Sequence, residues 1–339
     1  MTESERESGM IRFGIIGTNW ITDRFIEAAR ESEKFALTAV YSRTEAKGRE
    51  FADKHGAARV YTDLQAFASS EAFDAVYIAS PNSLHAEQAI ACMNAGKHVL
   101  CEKPVASNEA ELLHMIEAAR KSGVTFMEAL LTTLLPNFRA IEENLHKLGT
   151  IRRYFASYCQ YSSRYDAYKE GNVLNAFKPE LSNGALMDLG IYCLYPLVTL
   201  FGAPKRVQAD AYMLESGVDG QGNLQLNYEG MNASIMYSKI SSSYAPAEIQ
   251  GENGTMVIDK INTPERVEIR YRDGSVEELT RAQPNKFMYY ELEHFIGLAE
   301  RGVAESPTNN WDNSLNAVRV MDEARKQIGL AYPADRTSG

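Results

Sequence analysis

The stretch IRFGIIGTNWIT, residues 11–22, decides the fold. Its first half is a short, apolar, β-branched run that reads as a buried strand, and WITDRFIEAAR from Trp20 onward has the apolar spacing of a helix. A strand that turns through glycine straight into a helix puts the helix N-terminus, with its unsatisfied N–H groups and positive dipole end, where a dinucleotide pyrophosphate sits. Against the spacing G-x-G-x-x-G/A, Gly17 fits, while Asn19 stands at the second glycine and Thr22 at the third. Asparagine tolerates a left-handed backbone. The turn is therefore expected to survive, with Gly17, Thr18, Asn19, Trp20 and Ile21 around the phosphates and the Asn19 amide within reach of one. An ordinary strand-to-helix turn suits the same residues, so the reading depends on what surrounds them.

What surrounds them is alternation. ALTAVYS, TEAKGREFADKHG, DAVYIAS, HAEQAIACMNAG, KHVLCEK and NEAELLHMIEAARKSG read in turn as strand, helix, strand, helix, strand and helix. Strand and helix at this spacing form βαβ units and a parallel sheet. After about residue 125 the rhythm changes: IRRYFASYCQYSS, RVQADAYML, LQLNYEG, NASIMYSKI, TMVIDK and VEIRYRDG look like strands, several joined by turns such as YEGMN, GENGT and RDGS. Helical patterns interrupt them at 136–148, 182–201 and 286–301, with a last one at 312–328. The fold class expected is α/β: a doubly wound parallel Rossmann sheet at 10–125, after a flexible tail at 1–9, then an α+β domain at 126–333 with an open-faced, mostly antiparallel sheet.

A chain of 339 residues is long enough for two cores. Its formal net charge of -10 argues against wrapping nucleic acid, though not against one phosphate pocket. MTESERESGM lacks the apolar segment of a secretory signal, and no apolar run approaches the roughly 18 residues of a membrane span. Cys92, Cys101, Cys159 and Cys193 have no metal-type spacing, so they are read as reduced thiols of a cytoplasmic protein, and no metal site is expected.

The strand ends carry the chemistry. After the second strand, NAD-preferring chains place an acid for the ribose 2′-hydroxyl; this chain has YSRT, whose Ser42 and Arg43 suit a 2′-phosphate and favour NADP over NAD. The fourth strand ends in SPNSLH, with Ser80, Pro81, Asn82 and His85, and the fifth in CEKP, with Glu102 and Lys103. Both fall at the carboxyl edge of a parallel sheet, where ligands bind. In GALMDLGIYCLYPL, residues 184–197, Asp188 is the only charge between Glu180 and Lys205, and helical spacing puts it on one face with Tyr192. The bland alternative has Asp188 favouring a helix N-terminus and Tyr192 filling core.

With these motifs the chain resembles the Gfo/Idh/MocA family of oxidoreductases over about residues 10–333, through GIIGTNWI, SPNSLH, CEKP, GALMDLGIYCL and the closing VMDEARKQIGLAYP. The resemblance implies a Rossmann domain binding NAD(P) and a C-terminal sheet that often forms the dimer contact. It implies Lys103 facing the substrate hydroxyl or carbonyl, Glu102 near the nicotinamide ribose, and Asn82 and His85 lining the cofactor side. Many members end the second motif in histidine; here Tyr192 takes that place, as in the tyrosine-type members. A phenol, titrating near 10 when free, is a proton donor at neutral pH, and a neighbouring ammonium such as Lys103 favours its phenolate, with Asp188 orienting the pair. Where relatives often carry an aromatic and an arginine, MEALLTTLLPNF has Leu131 and Thr133.

The activity expected is therefore NADP(H)-dependent hydride transfer to or from a neutral aldose, polyol or cyclic diol, catalysed by Lys103, Tyr192 and Asp188, in a homodimer or dimer of dimers built through the second domain's sheet. Tyr161, Tyr165, Asn175 and Asn183 are expected to line the cleft; Arg164 and Lys178 are the alternatives for an anionic substrate. A non-catalytic NAD(P)-binding sensor of the same fold is the rival, and a non-redox use of bound NAD such as glycoside cleavage is a weaker one. Neither nucleic acid nor membrane is an expected partner.

Overall fold

The structure, a computed structural model, describes residues 9–337. The tail expected at 1–9 lies, apart from Gly9, outside the described residues.

In the first of two compact units, strands β1 (Ile11–Ile16), β2 (Phe35–Tyr41), β3 (Arg59–Tyr61), β4 (Ala75–Ile78), β5 (His98–Glu102) and β6 (Phe126–Ala129) form a sheet in the order β3-β2-β1-β4-β5-β6. Every pairing in it is parallel. The crossovers carry helices α1 (Trp20–Ala29), α2 (Glu45–His55), α3 (Leu64–Ala68), α4 (His85–Asn94) and α5 (Glu109–Ser122). This is the doubly wound order, whose switch point lies between β1 and β4. Strand β4, AVYI, is buried at every position, as a central parallel strand covered on both faces must be. Its Tyr77 ring stacks on Phe25 of α1 at 3.7 Å. The α2 helix stops at Gly56, whose φ of 83° is the left-handed cap a side chain would resist.

The second unit is built on eight strands: β7 (Ile151–Cys159), β8 (Arg206–Met213), β9 (Asp219–Asn227), β10 (Asn232–Ser238), β11 (Ala247–Gly251), β12 (Gly254–Ile258), β13 (Val267–Tyr271) and β14 (Val276–Glu278). Their order is β14-β13-β12-β11-β7-β10-β9-β8, antiparallel throughout except for the parallel pair β7 and β10. Alternation sorts the faces: Tyr154 and Ala156, Leu224 and Leu226, Ala233, Ile235 and Tyr237 are buried, while their neighbours Phe155, Gln225 and Met236 look the other way. Helices α6 (Pro136–Asn144), α7 (Ser163–Lys169) and α8 (Ile191–Phe201) belong to this unit. Helix α8 lies on β7 and β10, and the Tyr154 hydroxyl donates to the Cys193 carbonyl at 2.9 Å.

The division between units is not a single cut after residue 125. The first unit takes the chain up to Ala106, then Ala110–Leu131 and Lys286–Trp311; the second takes Ser107–Glu109, Thr132–Asn285 and the chain from Asp312. The returning segment carries α9 (Met288–Glu300), which runs along α1 and brings Phe295 to 6.1 Å from Phe13. Sequence periodicity is local and does not say which core a distant helix joins. The last long helix, α10 (Trp311–Ile328), follows it.

The expectation about apolar runs needs correction. Pro179–Phe201 is, by length and composition, long and apolar enough to cross a membrane, because isolated Asn183 and Asp188 interrupt the run without making it polar. However, 72% of its most apolar window is buried, with Leu186, Met187, Ile191, Leu194 and Leu197 in the second unit's core. The four cysteines are free; Cys92, Cys101 and Cys193 are buried, and burial raises all three thiols, Cys92 to about 12.

Candidate active site

At the end of β1 the chain turns through Gly17 at φ 107°, and a Cβ there would overlap the Ala79 carbonyl at the end of β4. The left-handed residue is this glycine; Asn19 is extended, at φ -124° and ψ 176°. Asn19 is instead the N-cap of α1, accepting from Ile21 N at 3.0 Å and Thr22 N at 3.4 Å, while its Nδ2 donates to Ala79 O at 2.6 Å. The amide expected to reach a phosphate is thus committed to the backbone. Thr22, at the third glycine position, is buried, and its hydroxyl donates back to the Gly17 carbonyl at 2.8 Å, bracing the turn. Thr18 and Ile21 are half-buried; Trp20 is 55% exposed, with Arg24 over its ring at 5.9 Å.

The other strand ends are equally ordered. Ser42 is buried, its N–H bonded to the Tyr61 carbonyl at 3.0 Å, and Arg43 is exposed at the entry to α2. Pro81 and Asn82 are half-buried, and the Ser80 hydroxyl donates to Gln88 Oε1 at 2.6 Å. His85 was expected to line the cofactor side. Its ring is only 1% exposed, with Nε2 2.9 Å from the Ser80 carbonyl and Nδ1 3.0 Å from the Pro104 carbonyl. Burial pushes it down to about 4 against the pull of those two carbonyls, so at neutral pH one nitrogen carries the proton and one carbonyl is bonded at a time. The ring is a strut between the SPN and EKP loops. Glu102 is buried, its Oε1 accepting from the Tyr77 hydroxyl at 2.5 Å and its Oε2 from Lys103 N at 3.3 Å. Lys103 is half-buried, and Val105 N, donating to Glu128 Oε1 at 3.1 Å, anchors the loop beyond it.

The remaining candidates, Asp188 and Tyr192, belong to the second unit, and their helix begins in an unusual way. Residues Leu186–Gly190 form one π-helical turn before α8. Such turns carry their hydrogen bonds one residue further than an α-helix and recur at functional sites. The turn is capped from another strand: buried Asp219 of β9 accepts from Leu186 N at 2.7 Å and Ala185 N at 3.1 Å. Asp188 and Tyr192 are both half-buried, one turn apart; the Tyr192 ring meets Tyr158 edge-on at 5.5 Å. Asp188 Oδ2 lies 2.8 Å from Nζ of Lys239, the residue just beyond β10. The ammonium expected for this cluster was Lys103; within the second unit, Lys239 supplies one.

Residues 11–130 match the oxidoreductase family with the NAD-binding Rossmann fold, and residues 140–257 match the GFO/IDH/MocA C-terminal domain. The chain is 61% identical to scyllo-inositol 2-dehydrogenase (NADP(+)) IolU of Bacillus subtilis, over 96% of this chain and all of that one. The chain belongs to the Gfo/Idh/MocA oxidoreductase family. Within that family it is also 29% identical to the trans-1,2-dihydrobenzene-1,2-diol dehydrogenase of Mus musculus, over 96% of this chain and 99% of that one. The aldose-aldose oxidoreductase of Caulobacter crescentus, solved with glycerol, shares the fold with a TM-score of 0.82 at 23% identity, covering 94% of this chain and 97% of that one.

A dinucleotide fits the first unit of this family member. The Gly17 turn has no room for a side chain, and Asn19 satisfies two of the α1 N–H groups, leaving that of Trp20 and the helix dipole for a phosphate. Lys239, Asp219 and Tyr158 escaped the sequence reading. The one local signal was a lysine directly after the buried alternation of β10; Asp219 opens the polar-alternating DGQGNLQLN and gave none. Of the residues expected around the substrate, Tyr165 stacks on Tyr168 at 5.8 Å, Tyr161 meets Tyr165 edge-on at 5.7 Å, and the Tyr161 hydroxyl donates to Asp166 at 2.7 Å. Asn175 is exposed and Asn183 half-buried; Arg164 is exposed, and Lys178 half-buried. Thr133 is buried and Leu131 half-buried.

Proposed function

We propose that this oxidoreductase uses NADP(H) to move a hydride between nicotinamide and a CH–OH or C=O carbon of a small neutral polyhydroxylated molecule, a six-membered cyclic polyol first among them. The observation that carries the reading is the capped π turn, which fixes a carboxylate and a phenol one turn apart beside an ammonium. The cofactor, when bound, supplies the hydride chemistry. Tyr192 takes the substrate hydroxyl's proton in oxidation and returns it in reduction; Lys103 assists, and Asp188 orients the acceptor. General acid–base help of this kind contributes roughly 10²–10⁴-fold.

Arg43, exposed where an NAD-preferring chain would carry an acid, supports NADP, as does the name of the Bacillus relative. That relative and the dihydrodiol dehydrogenases are named for hydroxylated six-membered rings, which supports the cyclic polyol. Neutral hydroxyls also suit the tyrosine-rich segment 161–168 better than a carboxylate or phosphate, which is usually held by an arginine fork. The proton-carrying residues favour turnover over a sensor, which has no use for them.

A substrate panel followed by the absorbance of reduced nicotinamide tests the proposal. A neutral inositol, aldose or cyclic diol should exceed its carboxylated or phosphorylated counterpart in kcat/KM by at least about tenfold, about 1.4 kcal/mol in transition-state stabilisation. Tyr192→Phe should cut kcat by about 10²-fold or more with NADPH affinity unchanged. Preference for the anionic substrate, or full turnover by the phenylalanine variant, removes the proposal.

A further inference from the structure

Lys239 is an unusual lysine. Its side chain is 3% exposed, and lysine is almost never buried without a partner. Three features hold its ammonium: Asp188 Oδ2 at 2.8 Å, the Ala176 carbonyl, to which it donates at 3.2 Å, and the face of the Phe177 ring, 5.3 Å away. The backbone on either side is fixed too. Lys239 N donates to the Gly220 carbonyl at 2.9 Å, and the Lys239 carbonyl accepts from Ser162 N at 2.9 Å. Phe177 in turn packs on Tyr165 at 5.9 Å and Tyr168 at 5.2 Å.

Stability alone gives little reason for such a group. Removing an ammonium from water costs several kcal/mol, and a well-packed apolar replacement for a buried ion pair is often as stable or more so. The side chain is long enough to have left its charge in water, as lysines at surfaces do. Instead it points inward and ends on the carboxylate, 35% exposed, that lies one turn before Tyr192. A charge retained at this cost, with its direct ion pair on Asp188, is explained by what it does to that carboxylate.

We propose that Lys239 is a positioning residue for the reaction given under Proposed function, on which this inference rests: it clamps the Asp188 carboxylate in one rotamer with a fixed charge partner, so that Asp188 can orient the Tyr192 phenol and the substrate hydroxyl. Asp219, which caps the same turn and feels the Lys239 charge, fixes the backbone of that turn, as Lys239 fixes its side chain.

The test is a double-mutant cycle on the purified full-length protein with the best neutral substrate of the panel. Lys239→Met keeps the volume and removes the charge; it should lower kcat by about 10–100-fold while KM for the substrate and the affinity for NADPH change by less than about threefold. Lys239→Arg, which keeps the charge, should recover a large part of that loss. In an Asp188→Asn background the methionine substitution should cost nothing further, because a residue acting through Asp188 has nothing left to act on. If Lys239→Met does not fold, the double variant, in which both charges are gone, still allows the comparison with Asp188→Asn alone. Equal kcat supports the proposal. Losses that simply multiply, or a methionine variant with wild-type kcat, overturn the role of Lys239 alone. A wild type that turns over no substrate overturns the functional reading and this role with it.

Discussion

Gly184 and Asp219 leave no room between them for a side chain. Gly184 has φ 148°, and a Cβ built on it would overlap Asp219 Oδ1, the oxygen that accepts from Ala185 N. The glycine lets a buried carboxylate approach the first N–H groups of the helix that carries Asp188 and Tyr192. Gly184→Ala should therefore destabilise the protein by about 2–4 kcal/mol, through backbone strain and the displaced cap. Surviving protein should lose turnover while keeping NADPH affinity. Denaturant unfolding and a cofactor titration check both; an alanine variant as stable as wild type would mean that the cap tolerates displacement.

The same carboxylate makes stability depend on pH. Burial holds Asp219 up at about 6, with the Leu186 and Ala185 N–H groups and Lys239 pulling the other way. The folded value lies above the unfolded one, so the folded state retains the proton longer, and stability falls as pH rises from about 4 to about 6. The full cost above that window is about 3 kcal/mol for a shift from 3.8 to about 6. Asp219→Asn should flatten this part of the stability–pH curve. Glu291, whose two buried oxygens lack a hydrogen-bond partner and which burial and Glu102 push well above the usual range, contributes with the same sign, so some dependence should remain in the variant. Parallel wild-type and variant curves between pH 4 and 7 would contradict the assignment.

Arg43 should decide between the two nicotinamide cofactors. Arg43→Ala should weaken NADPH binding by about 1.5–3 kcal/mol, the range of a hydrogen bond to a charged group, and leave NADH nearly unchanged. Fluorescence titration of both cofactors reads the difference; equal losses would move the 2′-phosphate elsewhere.

The outward face of the second unit's sheet should pair with a second copy. Phe155 of β7 lies opposite Ser234 and Glu248, Met236 of β10 opposite Ser157 and Asn223, and Val257 of β12 opposite Glu248, a series of half-buried apolar side chains among polar neighbours. A twofold pairing of such faces is the smallest closed arrangement. Light scattering should give a dimer, or a dimer of dimers, at micromolar concentration; a monomer there would rule the pairing out. Phe155→Glu should shift the equilibrium toward monomer.

The sequence by itself determined the two-sheet architecture and the motifs. Strand–helix alternation up to 125 and strand repetition after it are local patterns, each set by which faces of short segments must be buried, and they sufficed for a parallel sheet followed by a mostly antiparallel one. The stretches GTNWI, YSRT, SPNSLH, CEKP and GALMDLG were legible because each chemistry depends on neighbours a few residues apart. Only the tertiary structure decided the rest. It put the positive φ on Gly17 and made Asn19 a cap, because the Ala79 carbonyl, 60 residues away, takes the amide. It buried His85 between two loops, returned α9 to the first unit, and brought Asp219 and Lys239 onto the helix of Asp188. These are contacts between segments distant in the chain, and no periodicity within one segment records what another places against it.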